Sequence, residues 1–127
     1  VLRGPSNTEV ILSPSRILYT GIREPTAILA VGQEGVNRRS GLFAGLSEEC
    51  LVVRAGGVAI PEAPARVVSP DLRSLGIKPR DLALASVAVL ASEGQVLSTE
   101  MLKAAMARTF RPGVLESALE VVQAVRG

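Results

Sequence analysis

The residues best equipped to do chemistry sit at the start of the chain. Arg3-Gly4-Pro5-Ser6-Asn7 offers a guanidinium, a side-chain amide and a hydroxyl directly ahead of an apolar run. A guanidinium fork and amide donors at the mouth of a strand suit an anionic ligand. The same residue types also make an ordinary turn feeding a strand. Gly32-Gln33-Glu34-Gly35 follows a second apolar run and opens a helical stretch, the context in which phosphate loops occur. It lacks the glycine spacing and the lysine of the known phosphate loops, and Glu34 would repel a phosphate, so a tight turn is the expectation. Gly56-Gly57 has no helix signal close behind it and reads as a strand stop.

Other candidates read as structure. Glu48 and Glu49 are sequence neighbours, which do not face each other on a helix, and solvated charge ahead of a strand is expected. Cys50, the only cysteine, opens an apolar strand and is expected to be a buried, inert thiol. With no histidine in the chain, a Ser-His-Asp triad, a histidine-activated cysteine and a Cys/His zinc site are excluded. Met101 and Met106 are spaced for a helix face and are expected in the core. The residues assemble no nucleophile, base and oxyanion site, and name no reaction of their own.

The elements that would position these residues follow from composition and punctuation. At 127 residues the chain is long enough for one domain with a core. Only three residues are aromatic (Tyr19, Phe43 and Phe110), so aliphatic side chains must fill that core. A net charge of +2 is spread along the chain, with Arg38-Arg39 its densest point and no aromatic beside it. A nucleic-acid partner is therefore not expected. The longest apolar stretch, Leu82 to Ala91 apart from Ser86, is too short to span a bilayer, so no membrane association is expected. A lone cysteine is compatible with a reducing cytoplasm, the expected location.

Short β-branched runs punctuated by Gly and Pro fill the first two thirds. Strands are expected at Thr8–Ser13, Ala27–Val31, Cys50–Val53 and Arg66–Val68. Such short apolar runs suit a parallel sheet covered on both faces. A crossover is expected between Gln33 and Glu49, with Glu34 and Arg38 as a supporting pair and glycines keeping any helix short. The last third is helical. Pro79 and Asp81 belong to a first turn, Leu82–Leu90 is apolar enough to be buried on most sides, and Gly94 is a stop. Ser98 is an N-cap, with Leu97 and Leu102 as a hydrophobic staple. The stripe Met101, Leu102, Ala105, Met106 and Phe110 follows. Pro112-Gly113 breaks it before a final helix with Val114, Leu115, Ala118, Val122 and Val125 on one face. The helical tail is expected against the sheet or its edge. The fold class expected is α/β: one Rossmann-like domain over residues 1–127, mostly parallel, with covering helices and a helical C-terminal third.

The order and spelling of these segments resemble one family, the gamma subunits or domains of the 2-oxoacid:ferredoxin (2-oxoacid:acceptor) oxidoreductases. Arg3-Gly4-Pro5-Ser6-Asn7-Thr8-Glu9-Val10-Ile11-Leu12-Ser13 is similar to the family's Arg-Gly-Gly loop and its strand ending in Ser, with Pro5 in place of the second glycine. Ile17, then Glu24-Pro25 ahead of Ala27-Ile28-Leu29-Ala30-Val31, resembles the family's next passage, with Thr26 for Asp. Cys50–Val53 corresponds to the following strand. Leu90-Ala91-Ser92-Glu93-Gly94, Leu97-Ser98 and Leu102 resemble its late helix–Gly–helix passage, with Ala83 and Ala88 where the family often has Asn and Gly. The family's glycine-rich loop, Gly-x-Gly-Gly-Gln-Gly, has no counterpart here. The resemblance thus covers the later part of the family's domain, and a first strand is expected to be lacking.

The resemblance implies a non-catalytic component that docks on, and helps cover, a thiamine diphosphate centre held by partner subunits. Thiamine diphosphate, iron–sulfur clusters and coenzyme A belong to the assembled enzyme, with ferredoxin an indirect partner; this chain alone is expected to hold no metal and no cofactor. Arg3, Gly4, Ser6 and Asn7 are the residues expected to line the shared site. Two other readings stay open: a free-standing Rossmann-like module binding a nucleotide or coenzyme A, and a structural interaction domain of another complex.

Overall fold

The computed structural model describes residues 25–55, 57–94 and 97–126. Three short strands, β1 (Ala27–Ala30), β2 (Leu51–Arg54) and β3 (Arg66–Val68), form a parallel sheet in the order β1-β2-β3. Ala27 lies opposite Leu51 and Ala30 opposite Arg54, while Leu51 and Val53 face Arg66 and Val68. The pairing runs past the strand ends, through Leu51 N–H to Thr26 O at 3.1 Å and Ala55 N–H to Ala30 O at 3.0 Å. The architecture is α/β with a helical C-terminal part, as the alternation of short β-branched runs and longer helical patterns implies.

The alternation of side chains along the central strand divides the core. Cys50 and Val52 point to one face, with Ile28 and Ala30 of β1 beside them, against Val36, Phe43, Leu46 and Val58. Leu51, Val53 and Ala55 point to the other, with Ala27 and Leu29, against Leu72, Ala85, Val89 and Leu90. Leu51, Val52 and Val53 are wholly buried, each worth about 1.5–3 kcal/mol of transfer free energy. This is why β2 shows no polar alternation: a central parallel strand has two apolar faces to satisfy. β3 lies at the edge of the three, and its Arg66 and Val67 are exposed.

The two sheet faces are covered differently. Between β1 and β2 run two short helices, α1 (Gln33–Arg38) and α2 (Ser40–Phe43), which lay Val36 and Phe43 on the first face. The glycine-rich segment therefore holds two short helices rather than one. The connection from β2 to β3, residues 55–65, contains no helix among its described residues. It crosses as a strap without regular secondary structure among its described residues, and packs Val58, Ile60, Ala63 and Ala65 on the same face.

The second face is covered by α3 (Leu82–Glu93), entered through a 3-10 turn at Pro79–Asp81. Ala85, Val89 and Leu90 meet the sheet-side core, while Ala88 and Ala91 meet Leu102, Met106, Ala118 and Val122. A helix sandwiched in this way is apolar nearly all round, as its sequence indicates. Its buried Ser86 hydroxyl donates to Leu82 O at 2.8 Å, so no polar group is stranded. The outer layer is α4 (Thr99–Thr109) and α5 (Pro112–Arg126).

Three expectations change. The tail as a whole does not lie on the sheet: α3 does, while α4 and α5 pack chiefly on α3 and on each other. Met101 and Ala105 are exposed, because α4 buries only the narrow line of Leu102 and Met106. Val114 is exposed too, since Pro112 and Gly113 start α5 and its first turn precedes the part that reaches α3. The strands are shifted by at most one residue from their expected bounds, and the expected strand Thr8–Ser13 lies outside the described residues.

Candidate functional site

In an open parallel sheet, ligands bind outside the carboxyl ends of the strands, where loops diverge over unpaired backbone. Here that rim is formed by Gly32 after β1 and by Ala55 and Gly57 after β2. Gly32 is extended, with φ −129° and ψ 137°, and caps α1 without a side-chain bond. A Cβ at Gly32 would meet nothing within 4 Å, so packing does not demand glycine there. Gly57 does need to be glycine, because its φ of +73° is left-handed.

The side chain that organises the rim is Gln33. Its Oε1 accepts from Ala59 N–H at 2.8 Å, and its Nε2 donates to Ala59 O at 2.9 Å. The same Nε2 donates to Asn37 Oδ1 at 3.0 Å, one helical turn along α1. The carboxamide thus pairs with both backbone groups of one residue, as a neighbouring strand would, while Asn37 fixes its orientation. Glu34 stands in the first turn of α1. A carboxylate there is favoured by the helix dipole and opposes a phosphate at the same end.

The expected anion-binding residues Arg3, Gly4, Ser6 and Asn7 lie outside the described residues, so the structure neither groups nor separates them. Gly32–Gly35 is not the tight turn expected: Gly32 is the N-cap and Gln33, Glu34 and Gly35 are already the first turn of the six-residue α1, with Val36 N–H bonded to Gly32 O at 3.1 Å. Glu48 and Glu49 are exposed, and Glu49 N–H donates to Ser47 Oγ at 3.1 Å in a turn ahead of β2. Cys50 is buried, and that burial pushes its thiol above the usual range, the reverse of what activates a nucleophile. Asp71 is held below the usual carboxylate range by hydrogen bonds from the Ser74 hydroxyl and backbone N–H, with Arg73 adding attraction. That is a turn closing on itself. Among the described residues, no three His, Cys, Asp or Glu side chains lie together in a way that could hold a metal ion. No helix of the described residues is long and apolar enough to cross a membrane.

Sequence reasoning missed Gln33. A Gln and an Asn four apart is a recognisable helix pair, but the bond to Ala59 spans 26 residues and leaves no local signature. Comparison of the chain with protein-family models, with curated proteins and with solved structures finds no match.

Proposed function

We propose that this chain is the non-catalytic gamma component of a 2-oxoacid:ferredoxin (acceptor) oxidoreductase, an enzyme that oxidatively decarboxylates a 2-oxoacid to an acyl-coenzyme A. The observation that carries the reading is the ordered run of segments from Arg3 to Leu102, spread over nearly the whole chain. Several of those segments coincide with elements that matter to the fold. Ala27–Ala30 is β1, Leu51–Val53 is the buried centre of β2, and Glu93-Gly94 with Leu97-Ser98 is the α3–α4 junction.

In this reading the chemistry divides between subunits. Partner subunits hold thiamine diphosphate and the iron–sulfur clusters and pass electrons to ferredoxin. This chain docks beside the thiamine diphosphate centre and helps to cover it. Arg3, Gly4, Ser6 and Asn7 face the shared site, where a guanidinium and an amide orient an anionic group of the 2-oxoacid or of coenzyme A. The complex works in the cytoplasm, in keeping with a single cysteine that remains a buried thiol.

The site assignment is tested in the assembled enzyme. Arg3→Ala and Asn7→Ala are each expected to raise KM for the 2-oxoacid or for coenzyme A at least about tenfold, the loss of roughly one charge-assisted contact. Steady-state kinetics that leave both KM values and kcat unchanged would remove these residues from the site.

A further inference from the structure

A parallel pair of strands ordinarily needs a crossover of a dozen or more residues, with a helix to cover the sheet face. The connection between β2 and β3 spans residues 55–65 with no helix among its described residues, so it must be held down by its own side chains and by whatever grips its backbone. Val58, Ile60, Ala63 and Ala65 supply the apolar contact. The polar grip at its start is Gln33, whose carboxamide satisfies both backbone groups of Ala59.

We propose that Gln33 is a latch: its carboxamide fastens the strap 57–65 to the start of α1, and releasing it opens the carboxyl rim between β1 and β2. Three features carry the assignment. Ala59 itself is exposed, so its N–H and C=O are not held by burial, and the bonds from Gln33 are what ties them to the body of the domain. Asn37 holds the amide in the one rotation that matches donor to acceptor and acceptor to donor. Gly57, at φ +73°, takes a conformation that glycine reaches readily, and Val58 N–H bonded to Ala55 O at 3.1 Å gives the strap a fixed point to turn about. With the latch open, Val58 and Ile60 lift from the face they share with Val36 and Phe43, and the rim widens. With it closed, the rim and the strap move as one unit.

The test is amide hydrogen exchange followed residue by residue by NMR in the full chain. Gln33→Ala removes all three bonds. Gln33→Met removes them too but keeps the length and helix preference of the side chain. Both variants are expected to speed exchange at Val58, whose own acceptor Ala55 O they leave in place, and at Ile60 as well as at Ala59, at least about tenfold, with Val52 and Val53 of β2 unchanged, the pattern of a local opening. Faster exchange confined to Ala59, the direct result of removing its acceptor, would overturn the proposal. So would an equal acceleration at Ala59 and in β2, which would make Gln33 a contributor to global stability and nothing more.

Discussion

Cys50 is 1% exposed among Phe43, Leu46 and Val52, and the apolar surroundings disfavour its thiolate. Its thiol is therefore expected to resist a disulfide reagent at pH 8 in the folded protein and to react fully once denaturant is added, as followed by absorbance. The same shift links to stability. The unfolded thiol ionises from about pH 8.5 while the folded one keeps its proton. The unfolded state then binds fewer protons, so this group's contribution is whole below that pH and declines as pH rises above it. Cys50→Ala is expected to flatten the alkaline decline in denaturant midpoint; an identical pH profile for the variant would contradict the assignment. The fate of Cys50 is readable from sequence, because a lone cysteine at the head of an apolar run has little choice but burial. Gln33 is the opposite case, since its partner is fixed only when the strap comes back across the sheet.

The junction between α3 and α4 shows what a single element boundary is worth. Gly94 ends α3 in the left-handed region at φ 72°, and Ser98 Oγ accepts from Met101 N–H at 3.1 Å to start α4. A Cβ at position 94 would meet nothing within 4 Å, so the cost of Gly94→Ala is backbone strain alone, about 1–2 kcal/mol. Ser98→Ala should cost about 1 kcal/mol through the lost cap. Denaturant unfolding should show both as lowered midpoints with unchanged slopes, and a neutral Gly94→Ala would mean the helix end readjusts. Both signals are legible in the sequence because the chemistry is local: a glycine ends one helix and a serine starts the next. The burial of α4 and α5 is less legible. A stripe such as Met101, Leu102, Ala105 and Met106 gives the period of a helix but not the width of the neighbour it meets. Only Leu102 and Met106 lie under cover, because α3 presents alanines and a narrow contact line.

Over the whole molecule, β2 and α3 are the two elements around which the other layers are arranged. The first is apolar on both faces because helices and a strap cover one side and α3 the other. The second is apolar nearly all round because it separates the sheet from α4 and α5. That layering follows from two apolar runs, the second broken only by Ser86, and for this reason the α/β class is readable from the sequence. The rim geometry is not, since it depends on a crossover whose path no periodicity announces.

The proposed role as gamma component of a 2-oxoacid oxidoreductase is best tested by recovering the native complex through a tag on the chain, with mass spectrometry of the proteins that accompany it. The proposed role requires stoichiometric recovery of a thiamine-diphosphate subunit and an iron–sulfur subunit, with 2-oxoacid- and coenzyme A-dependent reduction of ferredoxin in the eluate. Recovery of the chain alone, or with partners that carry neither group, would contradict it.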